Sequence, residues 1–149
     1  MSLASDWRRL RQIAWRDRLL LAETVAVVAV ASLAVRLLPF RRVVTASTRG
    51  QGASRGGAAS SAEIGRARWA VEACARRLPW KIVCFQKGVA MQTLLRRRGI
   101  PTELHYGVAQ DQERGLSAHV WVSHAGETII GGDRADEYTC LATFPSPAS

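Results

Sequence analysis

From Leu19 to Leu38 the chain reads LLLAETVAVVAVASLAVRLL, an apolar run broken only by Glu23, Thr24, Ser32 and Arg36. No other stretch limits the fold so strongly. A segment this apolar must leave water, and at roughly 20 residues a helix reaches the length that spans a bilayer. Pro39 closes it, because proline cannot continue the helical hydrogen-bond ladder. Several features argue against a span: Glu23 and Arg36 fall inside the window, Ala and Val outnumber Leu and Phe, and aromatic residues do not mark both ends. A helix apolar all round is equally one packed into its own domain or against a partner. The expectation is a docking or core helix in preference to a true span, with peripheral membrane contact between the two.

What surrounds this run divides the chain into three. Residues 1–44 form a basic and apolar helical arm. Residues 45–61, TASTRGQGASRGGAASS from Thr45 to Ser61, carry Gly, Ser, Ala and Thr without apolar periodicity, the composition of a linker or exposed loop. Residues 62–149 hold the part that can do chemistry. The whole chain has 149 residues, 48% apolar and 22% charged, which is one ordinary domain plus an arm.

Lys and Arg number 21 against 12 Asp and Glu, a net charge of +9 that favours anionic partners. The arginines are scattered along the chain, and no helix-turn-helix, zinc-finger or RNA-binding signature accompanies them, so nucleic acid is not an expected partner. Cys74, Cys84 and Cys140 are odd in number and contain no CxxC pair. A disulfide framework or zinc site is therefore not expected, no cofactor is implied, and a reducing cytoplasm suits the composition, with membrane association left open by the arm.

Within residues 62–149 the pattern alternates between helix and strand. Ile64, Ala67, Val71, Cys74 and Leu78 recur at steps of three and four, an amphipathic helix stopped by Pro79, with Cys74 on its packing face. FQKGVAMQTLLRRRGI reads as a second helix ending in arginines and Gly99. TELHYGVA alternates as a strand, QDQERGLS reads as a polar loop, and AHVWVSHAGETIIGG reads as a hairpin turning at HAG, with Gly126 at positive φ.

Cys84 stands at the start of that second helix. A thiolate is the reactive form of cysteine, and helix N-termini favour negative charge. The unpaired amides of a first helical turn also suit the oxyanion of acyl transfer. The remaining need is a base, held by a third group. His119 follows a loop at the edge of a strand, on the same side as Trp121, where it can face a cleft; His124 lies in the turn and His105 inside the preceding strand. Cysteine at a helix start followed by a strand histidine is the chain order of papain-like and transglutaminase-like hydrolases.

The run RARWAVEACARRLPWKIVCFQKGVAMQTLLRRRGIPTELHYGV, followed by AHVWVSHAGETIIGG, resembles the transglutaminase-like proteases of lasso peptide biosynthesis, the microcin-processing family that removes the leader from a ribosomal precursor. The likeness covers Arg66 to Phe144. It implies an α+β papain-like fold with an antiparallel sheet against the Cys84 helix, Cys84 as nucleophile and His119 as base. It also implies three partners: the precursor peptide, a separate winged-helix leader-recognition protein, and the lasso cyclase that takes the product.

The third catalytic position departs from the family. With HAG as a three-residue loop, Ser123 faces Glu127 and Gly131 falls opposite His119, where the family usually has aspartate. Asp133 lies one diagonal step on, within reach through a bulge at Gly131 and Gly132, and is the candidate acid. Asp136 is a weaker one, and a backbone carbonyl is the alternative. Trp80 and Trp121 are candidates for the cleft walls. A noncatalytic peptide-binding protein or a membrane-associated scaffold of a peptide-modification complex is the rival reading, and transamidation shares the same acyl-enzyme.

Overall fold

A computed structural model describes residues 13–49, 61–113 and 115–145. Four helices precede a small sheet: α1 (Trp15–Leu37), α2 (Phe40–Thr48), α3 (Ser61–Arg77) and α4 (Cys84–Arg97). The strands are β1 (Glu103–Asp111), β2 (Gly115–His124), β3 (Glu127–Ile130) and β4 (Thr139–Phe144), with a 3-10 turn over Gly132–Glu137. The sheet is antiparallel throughout, ordered β3-β2-β1-β4. The expected α+β class, a helix packed on an antiparallel sheet with an apolar helix ahead of it, is what forms.

Helix α4 is the centre of the molecule and touches the other three helices as well as β1, β2 and β3. Its Met91, Leu94 and Leu95 are fully buried, with Leu104, Val120 and Val122 from the sheet in the same core. Both its ends are set by local chemistry. At the start, the Gln86 side chain reaches back to accept the Val83 N–H at 2.8 Å, which fixes the entry of the chain one residue before Cys84. At the end, Gly99 adopts φ 73 while Ile100 N–H donates to Leu95 at 3.0 Å and Gly99 N–H to Arg96 at 2.9 Å. That pair of bonds is a Schellman motif, and the left-handed residue it needs is the glycine the sequence supplies.

The N-terminal segment differs from the arm and linker read in the sequence. Val28 and Ala31 of α1, and Val43 and Val44 of α2, belong to the same buried cluster as Leu94 and Val122. The supposed linker begins inside α2, whose Ser47 is buried and donates to Gln92 Oε1 at 2.7 Å. Residues 50–60 of the expected linker lie outside the described residues. Pro39 ends α1 and, with φ −63, presets the start of α2, so the chain turns a corner where an end was expected. Serine and threonine read as linker residues until their hydroxyls find partners in a core.

Two further local differences bear on the site. The polar loop QDQERGLS contributes to longer strands: β1 runs to Asp111, β2 starts at Gly115 with φ 75, and Asp111 pairs with Gly115. The hairpin turns on two residues, Ala125 at φ 49 and Gly126 at φ 81, so His124 faces Glu127 in place of the expected Ser123. Two-residue turns with both φ values positive match the natural twist of paired strands, and that preference overrides the three-residue loop. A bulge then follows between Val122 and Ser123.

Candidate active site

The first turn of α4 meets the open edge of β2. Strand β3 stops at Ile130, so among the described residues the β2 residues before Val122 have no strand paired on that side, and Cys84 and His119 line one cleft of ≈ 260 Å³ beside them. Gly88 explains how the helix comes so close. A Cβ on Gly88 would lie 2.7 Å from Val120 Cγ1, nearer than packed carbons tolerate. Gly88 is one turn after Cys84, and Val120 is next to His119. A mid-helix glycine costs about 1 kcal/mol relative to alanine, which is offset here by the approach it permits.

Cys84 is the first residue of α4 and partly buried. Lys87 N–H donates to Val83 O at 3.2 Å, so the amides of Cys84, Phe85 and Gln86 have no carbonyl within the helix and are free to receive negative charge. Phe85 anchors this turn. Its ring lies 4.9 Å from Phe40, which also touches Tyr106 at 5.0 Å and Phe144 at 6.1 Å. The corner between α1 and α2 thereby holds the residue next to the candidate nucleophile.

His119 is held from two sides. Its Nε2 donates to the Gly131 carbonyl at 2.8 Å, and its ring packs against Tyr138 at 5.0 Å and Trp121 at 6.1 Å. A carbonyl only accepts, so Nε2 carries the hydrogen; in the neutral ring Nδ1 then holds the lone pair and can take a proton. Gly131 can do this because it sits at φ 78, where a Cβ would stand 2.7 Å from Val120 O. Only glycine fits both the conformation and the space.

Asp133 does line the cleft, but its side chain is exposed and makes no hydrogen bond to His119 among the described residues. The Gly131 carbonyl already occupies the nitrogen that an acid would have held. Asp136 is exposed on the 3-10 turn and does not line the cleft. Trp80 does not wall the cleft either: its indole N–H donates to Ser32 Oγ at 3.3 Å against the core. Trp121 stacks between His105 and His119 and is not among the cleft-lining residues; the apolar cleft walls are Ile82, Val120 and Ile130.

Charged residues that the sequence reading passed over rim the cleft. Lys87 pairs with Glu72 at 3.1 Å across α3 and α4, and Arg68 lies beside them. Arg134 on the opposite rim holds Glu137, and that hydrogen bond keeps the Glu137 carboxyl below its ordinary range. Lys87 follows Cys84 by three residues and Arg68 precedes Glu72 by four, spacings that put each pair on one helix face once the helices are known. Cys74, by contrast, is buried on α3, and burial pushes its thiol up, in keeping with a packing role.

No group of three or more metal-ligating side chains occurs among the described residues. No curated protein and no solved structure matches the chain. A family model described as the transglutaminase-like superfamily matches residues 24–143, from the first half of α1 through β4. With a thiol at a central helix start, a histidine on the adjoining strand, and a match across most of its length, the chain belongs to the transglutaminase-like superfamily.

Proposed function

We propose that the protein is a cysteine peptidase that removes the leader from a ribosomally made lasso peptide precursor, acting with a separate leader-binding protein and passing its product to a cyclase. The observation that supports the peptidase reading is that a helix N-terminal thiol lines one cleft with a histidine whose Nε2 donates to a carbonyl, which leaves Nδ1 as the basic nitrogen of the neutral ring. The resemblance of the stretch from Arg66 to Phe144 to leader proteases supports the choice of substrate.

In this mechanism His119 Nδ1 takes the Cys84 thiol proton, and the sulfur attacks the carbonyl carbon joining leader to core. The developing oxyanion turns toward the first-turn amides of α4. The C–N bond breaks, the imidazolium returns its proton to the leaving amine, and the leader remains as a thioester on Cys84. Water, deprotonated by His119, releases the leader as a carboxylic acid and restores the thiol.

The test is mass spectrometry of a lasso precursor incubated with the protein and its leader-binding partner. Cleavage at the leader–core junction is expected, and Cys84→Ala and His119→Ala should each lower its rate by about a thousandfold or more while retaining the circular-dichroism spectrum of the parent. Cleavage at the parent rate by either variant rules the mechanism out.

A further inference from the structure

Helix α1 is long and apolar enough to cross a membrane, yet only 22% of its most apolar stretch is buried inside the protein. One side of it is the core already described. The other side bears a continuous apolar ridge: Trp15, Leu19, Val30, Leu33 and Leu37 are between 58% and 71% exposed, and Ala22 and Ala26 fill the intervals. Successive members stand three or four residues apart, so the ridge runs straight along the full helix. An apolar groove of ≈ 470 Å³ between α1, α2 and α4 adjoins it through Ala26 and Val30.

The charges are sorted with respect to this ridge. Both acids of α1 are paired with neighbouring elements, Asp17 with Arg66 of α3 and Glu23 with Arg97 at the end of α4 and Arg98 just after it, at 3.2 and 2.7 Å. Arg36, Arg41 and Arg42 stand exposed near the C-terminal end, and none of them has an ion-pair partner among the described residues. Arg16 caps the other end with its guanidinium 5.6 Å from the Trp15 ring. The exposed ridge is thus apolar along its length with arginines toward both ends, and the one carboxylate beside Leu19 that faces a shared pocket from α3, Glu63, has Arg16, Arg66 and Arg98 around it.

We propose that this face beds on an anionic membrane surface, with α1 lying in the plane of the bilayer. An apolar ridge gains by leaving water for the acyl boundary, and cations beside it gain from anionic headgroups. A second copy is a poor occupant, because two such faces set arginines against arginines in either orientation. A true span is also disfavoured, since it would strip Val28 and Ala31 from the core and Glu23 from its arginines. The inference is independent of the catalytic reading: none of the cleft residues belongs to this face.

The experiment is flotation of the full chain with vesicles of phosphatidylcholine containing phosphatidylglycerol, against vesicles of phosphatidylcholine alone. The protein should float with the anionic vesicles only, and the bound fraction should drop several-fold between ~0.05 and ~0.5 M salt. Leu19→Glu combined with Leu33→Glu, both exposed and therefore compatible with folding, should weaken binding about tenfold or more, with circular dichroism unchanged. Arg36→Gln with Arg41→Gln and Arg42→Gln should weaken binding without touching the ridge. Failure of the parent to float, or equal flotation by the Leu19→Glu and Leu33→Glu variant, overturns the proposal. So does a parent dimer in light scattering that the same variant dissociates, because the face then belongs to a second copy.

Discussion

At the scale of single residues, the site depends on an acceptor that is not a side chain. His119 is oriented by the carbonyl of Gly131, which can be where it is only because residue 131 is at φ 78 with Val120 O pressed against the place of its missing Cβ. Gly131→Ala should therefore lower kcat/KM by about a hundredfold, the scale of a misplaced catalytic group. Asp133→Asn should change it by less than about fivefold, as befits an exposed acid. Steady-state cleavage assays distinguish the two. The sequence singled out Cys84 and His119 as candidates because residue type, helix signals and strand pattern agreed there, and both line the cleft. It pointed to Asp133 because a hydrogen-bond acceptor in the main chain has no letter of its own. A second residue-scale expectation concerns His105, which stacks on Trp121 at 5.5 Å and is bonded to Ser123 at 2.7 Å and Thr143 at 3.1 Å. Burial holds its imidazole below the ordinary 6.5, with a smaller opposing pull from Glu103. The unfolded chain takes up a proton near that pH that the folded chain resists, so the stability linked to His105 is full above about 6.5 and falls as pH drops toward the folded value. Urea unfolding at pH 7.5 and pH 5.5 should show a larger loss for the parent than for His105→Asn.

At the scale of elements, the contact between α4 and β2 sets the placement of the two candidate residues, Cys84 and His119. Gly88→Ala gains about 1 kcal/mol of helix propensity and meets Val120 Cγ1 at 2.7 Å, an overpacking that costs about 1–3 kcal/mol. The expected result is a small change in melting temperature with a fall in kcat of about tenfold or more, since the helix must shift away from the strand that carries His119. Thermal melts and kinetics on the same sample check both halves. Long elements with clear periodicity were legible: α3, α4 with its glycine end, and the strands around His105 and Trp121. Hairpin register was not, because one residue of loop length separates the expected Ser123–Glu127 pairing from the observed His124–Glu127 pairing. The same alternating pattern fits both, and strand twist decides between them.

At the scale of the whole molecule, the division into arm, linker and catalytic part does not describe the packing. Val28, Ala31, Val43 and Val44 pack with α4 and the sheet, and Phe40 ties Phe85, Tyr106 and Phe144 together. A fragment beginning at Ala62 should show no cooperative thermal transition, whereas the full chain should melt in one, by differential scanning calorimetry. Composition drew the boundary in the wrong place for a physical reason: an apolar helix followed by small polar residues looks alike whether it departs from a domain or folds back into it. The Phe40 cluster has a further implication for how the chain is made. Phe40 and Phe144 are about a hundred residues apart, and at ~5–20 residues per second α1 and α2 leave the ribosome several seconds before β4 exists to meet them. During that interval both faces of α1 are uncovered, the one that will join the core and the one that never does. The nascent chain therefore exposes its most apolar helix to the solvent for several seconds before the strand that completes its core is made.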